Sequence, residues 1–134
     1  MNFFSLFKRK FLYKIKKKIN IDLEQNNNKN LDELFYYYGS DKANIFKKTG
    51  NKGHGFSNFY AKELDHLKYK KIKILEIGSY AGASAAAFTK YFTNAKVYCF
   101  DINISNFKYG SNNISVYGLD IRNDKKILKI LDSI

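Results

Sequence analysis

The spacing of apolar residues changes several times along the chain, and each change marks an element. Phe4, Phe7, Phe11, Ile15 and Ile19 recur three or four positions apart with basic residues between them, the pattern of an amphipathic helix over 1–19. The polar run Gln25-Asn26-Asn27-Asn28-Lys29-Asn30 has no apolar period and reads as a linker. It separates a basic N-terminal helical unit, 1–24, from a domain over 31–134. A short helix is expected from Leu31 to Tyr37, ending towards Gly39, and then a long loop over 40–55 with Gly50, Gly53 and Gly55. Helical spacing returns over Ser57–Leu67, with Ser57 as the expected N-cap.

Ile72-Lys73-Ile74-Leu75-Glu76-Ile77 is a β-branched run that fits a buried parallel strand. It breaks at Gly78 and gives way to a helix from about Gly82 to Phe92, on which Ala81, Ala85, Phe88 and Phe92 share a face. Second and third strands are expected at Lys96–Asp101 and Ile114–Tyr117, and a last helix at Asp124–Leu131. Alternating strands and helices predict an α/β domain of parallel strands with flanking helices. There is no internal repeat.

The formal charge of +12 suggests nucleic acid, but its distribution argues against that partner. Seven basic residues precede the first acid, Asp22, and the 17 that follow position 18 exceed the 12 acids by only five, without forming a stripe. Enrichment in Lys, Asn, Ile, Tyr and Phe also matches AT-rich codon usage. The basic, Phe-rich helix leaves two readings open, attachment to a membrane surface or packing on the domain or a partner. No stretch approaches the roughly 20 apolar residues of a membrane span. The single cysteine, Cys99, excludes an internal disulfide and reads as a small buried hydrophobe, which fits a reducing cytoplasmic compartment. One Cys and two His assemble no zinc site.

Chemistry concentrates at Glu76-Ile77-Gly78-Ser79-Tyr80-Ala81-Gly82. A glycine turn between strand and helix admits a ligand close to the backbone, and the helix start suits an anionic group. The spacing is G-x-x-x-G, and Tyr80 stands where the dinucleotide fingerprint places its second glycine, which disfavours a nicotinamide cofactor. Asp101 ends the second strand 19 residues after Gly82, where an acid can accept the two hydroxyls of an adenosyl ribose. Both features support an adenosyl ligand.

An acid before the first glycine, the G-x-x-x-G turn and an acid ending the second strand resemble the class I S-adenosylmethionine-dependent methyltransferases. The likeness extends over about 35–134. Tyr38-Gly39-Ser40-Asp41-Lys42, Gly53-His54-Gly55-Phe56, Phe59-Tyr60, Ile74–Ser79, Gly82-Ala83-Ser84, Tyr91-Phe92 and Phe100-Asp101-Ile102 are similar to the macrocin and mycinamicin O-methyltransferase branch. The resemblance implies the N-terminal half of a Rossmann-like fold that binds S-adenosyl-L-methionine and acts on a hydroxyl of a sugar-like or other small molecule. Glu76, Gly78, Ser79, Tyr80 and Gly82 would shape the methionine end, Asp101 would hold the ribose, and Asp120 would contact adenine. Asp41 and His54 would border the cofactor or acceptor; His54 also fits a solvated or backbone-capping residue, and Asp120 a helix cap or solvated turn. His66 is expected at the surface.

In the resembling enzymes a divalent metal and the groups that deprotonate the acceptor follow the fourth strand, on an Asp-Asp-Gly-Ser-His-like segment. This sequence has no such segment, so no metal ligand and no catalytic residue is assigned. The expectation is a truncated, split or fragmentary methyltransferase whose catalytic half is absent or supplied by another polypeptide. The alternative is a non-catalytic remnant or membrane-peripheral binding module of the same fold.

Overall fold

The computed structural model describes residues 18–25, 28–48 and 53–134. The expected helix over 1–19 therefore lies almost wholly outside the described residues. Its last residue, Ile19, is not helical: Ile19–Asn20 form a short strand, β1, and Ile21–Leu23 a 3-10 turn. The N-terminal unit is thus not helical to residue 24. Ile21 is fully buried in the domain core, so burial rather than helical periodicity decides its place.

Helix α1 (Leu31–Tyr38) starts where the sequence supplies a capping box. Asn30 accepts from the Glu33 amide at 3.0 Å, and Glu33 accepts from the Asn30 amide at 2.8 Å. It ends at Gly39, which takes the left-handed conformation that closes a helix. The segment expected as a loop contains one helical turn, α2 (Asn44–Lys48), too short to show a period. Helix α3 (Ser57–Leu64) begins one residue earlier than expected, with Phe56 at the cap position and no side-chain cap. Ser57 does not cap it: the residue is buried, its hydroxyl donates to Asp32, and its amide donates to the Lys42 carbonyl at 3.0 Å. A 3-10 turn over Asp65–Leu67 continues α3, with His66 exposed.

The main sheet holds β2 (Ile72–Ile77), β3 (Ala95–Asp101) and β5 (Ile114–Gly118), all parallel, in the order β2-β3-β5. Helix α4 (Ala83–Tyr91) joins β2 to β3, and α5 (Asp124–Leu131) follows β5. Between β3 and β5, β4 (Tyr109–Gly110) pairs in parallel with β1, a two-residue match that no alternation could reveal.

The core lies on one face of the sheet. Ala85, Ala86 and Ala87 bring α4 close to the strands, and Phe35, Tyr60 and Phe88 meet edge to face at centroid distances of 5.3 to 6.1 Å. Tyr109 packs on Tyr38 at 5.3 Å and donates its hydroxyl to the Tyr38 carbonyl. β2 departs from the fully buried strand expected of it. Ile72, Ile74 and Glu76 face the core, whereas Leu75 is 41% and Ile77 57% exposed. No strand pairs with the outer edge of β2 among the described residues.

Candidate functional site

Register sets the site. Ile77 lies beside Phe100, and Asp101 beside Gly118, so the glycine turn, Asp101 and the end of β5 gather at the C-terminal ends of the strands. Ligands bind at this end of open α/β sheets. The turn after β2 has three left-handed residues, Gly78 (φ 77°), Tyr80 (φ 46°) and Gly82 (φ 78°). A tyrosine adopts that conformation at a cost of roughly 1–2 kcal/mol. Its amide donates to Asp101 Oδ2 at 2.6 Å, and the Asn103 amide to Asp101 Oδ1 at 2.9 Å. These charge-assisted bonds hold the turn, while each carboxylate oxygen keeps a second lone pair for a ligand.

The two glycines serve different ends. A Cβ on Gly82 would stand 2.4 Å from the Phe107 ring, so this glycine lets the helix start approach Phe107. A Cβ on Gly78 would meet nothing within 4 Å, so the space above that backbone is open. Ser79 is buried and its hydroxyl donates to the Glu76 carbonyl at 3.2 Å. Tyr80 is half exposed.

The segment between α1 and α3 forms the opposite wall. Asp32, on α1, accepts from the Asn44 amide at 2.6 Å and from the Ser57 hydroxyl, and the Asp41 carbonyl accepts from the His54 amide at 2.9 Å. His54 stacks on Phe56 and sits 3.7 Å from the Asp41 carboxylate. Lys42 reaches the other way. Its Nζ lies 3.0 Å from Ser84 Oγ and 3.5 Å from Glu76 Oε1.

Asp41, His54, Gly78, Ser79 and Tyr80 thus line one cleft of about 210 Å³, together with Lys42 and Ser84. Glu76 lines an adjoining groove of about 610 Å³ along β2, and Lys42 and Gly78 border both. Gly82 and Asp101 do not line either; Gly82 packs on Phe107 and Asp101 holds the Tyr80 amide. Asp120 stands apart in a depression with Arg122, Asn123, Asp124 and Lys125, and Arg122 Nη2 lies 2.6 Å from its carboxylate. That guanidinium lowers the Asp120 pKa to about 2. Lys42 and Ser84 belong to the cleft although the sequence reading gave them no role. The available signal was Glu76: a strand-ending acid on the core face needs a cation nearby.

No group of three or more His, Cys, Asp or Glu among the described residues could hold a metal ion. None of the described helices is long and apolar enough to cross a membrane.

No protein-family model matches the chain, and no curated protein sequence does. Solved structures do. The chain matches the MycE methyltransferase from the mycinamycin biosynthetic pathway in complex with Mg, SAH and mycinamycin VI, with a TM-score of 0.60 and 20% identity over 78% of its length. A second structure of MycE, with Mg and SAH, gives 0.61 and 21%. The chain spans 28% of the length of each of those proteins. The sheet order and this likeness agree: the chain has a Rossmann-like α/β fold, shared with part of MycE.

Proposed function

We propose that this chain binds S-adenosylmethionine and forms the cofactor-binding part of a methyltransferase acting on a hydroxyl of a sugar-like or other small molecule. The observation that carries the proposal is the turn built on Asp101. Its carboxylate fixes the Tyr80 amide and retains lone pairs for the ribose hydroxyls, in the turn that begins with the open backbone of Gly78. The orphaned oxygen of buried Glu76 adds an acceptor for the methionine end. MycE, of the same fold, is a methyltransferase crystallised with SAH, which supports the cofactor.

When bound, S-adenosylmethionine supplies an activated methyl group. In this reading the chain's own residues bind and orient it: Asp101 the ribose, the 78–82 turn and Glu76 the methionine end, Asp120 the adenine. Asp41 and His54 border the acceptor side. MycE is crystallised with Mg, but the described residues here supply no ligand set, so no step is assigned to a metal.

Isothermal titration of the 134-residue chain with S-adenosylhomocysteine and with NAD tests the proposal. Binding of the first and not the second is expected, with Asp101→Ala weakening it by about tenfold or more, the loss of a charge-assisted hydrogen-bond acceptor. Binding of NAD alone would overturn the proposal in favour of a nicotinamide site.

A further inference from the structure

The main strands are parallel, so the segments that enter them share one end of the molecule, opposite the glycine turn and Asp101. Residues 65–71 lead into β2, 92–94 into β3 and 111–113 into β5. Hydrogen bonds join these segments to one another and to residues 20–24. Asn94 Nδ2 donates to the Tyr69 carbonyl at 2.8 Å, and Lys90 Nζ, in the last turn of α4, donates to the Glu24 carbonyl at 2.8 Å. Asp22 accepts from the Ser111 hydroxyl at 2.6 Å and the Asn112 amide at 2.8 Å, and Lys96 Nζ donates to the Asn112 carbonyl at 3.0 Å. These ties make the end one continuous surface.

Its charge is one-sided. Lys18, Lys68, Lys70, Lys71, Lys90 and Lys96 lie on these segments or next to them. The acids there are Asp22, Glu24 and Asp65, and each already accepts a hydrogen bond from within the chain, from Ser111, Tyr38 and Tyr91 in turn. Two large apolar side chains stand uncovered among the lysines. Leu23 is 82% exposed and Tyr69 72%, with Lys68 Nζ 5.7 Å from the Tyr69 ring. Lysines beside an uncovered aromatic and an uncovered aliphatic side chain suit a lipid interface, where acidic headgroups meet the charges and the acyl boundary takes the apolar tips. A nucleic acid would meet the charges and leave Leu23 without a partner. The sequence that leads into Lys18 continues the same composition, basic and rich in Phe.

We propose that this end of the domain docks on an anionic lipid surface, with Leu23 and Tyr69 at the headgroup boundary and the lysines against acidic headgroups. The cleft opens at the other end of the strands and stays accessible to a dissolved ligand. The inference does not depend on what that cleft binds.

Co-sedimentation of the 134-residue chain with phosphatidylcholine vesicles, with and without phosphatidylserine, tests the proposal at about 0.1 M salt. Binding only to the vesicles that contain phosphatidylserine is expected. Tyr69→Ser/Lys70→Gln/Lys71→Gln should lower the partition coefficient by about 25-fold or more, at about fivefold for each lysine. Lys126→Gln/Lys129→Gln, on α5 and outside these segments, should lower it by no more than about threefold. No binding by the unaltered chain, or equal binding to both vesicles, overturns the proposal. So does an unchanged partition in the triple variant, which would leave residues 1–17 as the whole attachment. Equal loss in the two variants, both folded by circular dichroism, also overturns it, because attraction then follows net charge alone. Tighter binding to a DNA duplex than to the vesicles, lost in the same triple variant, overturns it in favour of nucleic acid.

Discussion

Two glycines four positions apart separate backbone strain from space. Gly78 and Gly82 have nearly the same φ, but only at Gly82 would a methyl group strike a neighbour. Gly78→Ala should cost about 1–2 kcal/mol, the left-handed penalty alone, while blocking approach of a ligand to the turn. Gly82→Ala adds overpacking against Phe107 and should cost about 2–5 kcal/mol in urea unfolding. Two buried acids of another kind set the alkaline limit. Burial pushes the Cys99 thiol from 9.0 to about 12, and burial with the Asp65 hydrogen bond pushes the Tyr91 hydroxyl from 10.0 to about 12. Both pKa values are raised on folding, so the stability they contribute is complete below about pH 9 and is lost as pH climbs towards 12. The urea midpoint should fall across that window. Cys99 should resist thiol reagents at pH 8 in the native chain and react once the chain is unfolded.

At the level of elements, the wall carrying Asp41, Lys42 and His54 hangs on α1 through a residue outside the cleft. Asp32 accepts from the amide of Asn44 and the hydroxyl of Ser57, at either end of that wall. Asp32→Ala should therefore destabilise the protein by about 1–3 kcal/mol, leaving buried donors unmet, and weaken ligand binding without touching the cleft. Calorimetry and urea unfolding of one preparation read both effects. The three main strands, α4 and α5 were legible in sequence because their apolar runs exceed one period and end at glycine or acid. The glycine at position 39 marked the end of α1, while the capping box at Asn30 was read as part of the polar linker. The pairs β1 and β4 were not legible, being two residues each, nor was α2, being five. Glu76, Gly78, Ser79, Tyr80 and Asp101 were visible because a turn announces its own spacing. Lys42 was invisible as a site residue because its partners are 34 and 42 positions away.

For the whole molecule, the sheet is asymmetric. On one face α4 packs against the strands with α1 stacked on it, and the other exposes Leu75 and Ile77 beside an edge of β2 that pairs with no described strand. Such an edge templates association. Leu75→Lys should lower the scattering mass of the concentrated 134-residue chain in chromatography with light scattering, and an unchanged mass would show that this face drives no association. The other ties are long in sequence. Asp22 accepts from Ser111 and Asn112, and Ile19 pairs with Tyr109, across about 90 positions. On the ribosome, residues 18–24 emerge long before β4, and the bonds that β1 and Asp22 make around residues 109–112 wait until that segment has been made. Ile21, fully buried in the folded chain, lacks the β4 side of its surroundings until then. The first described segment to be born is thus among the last to find its place, and a pause in translation before residue 109 would prolong the life of an open, sticky intermediate.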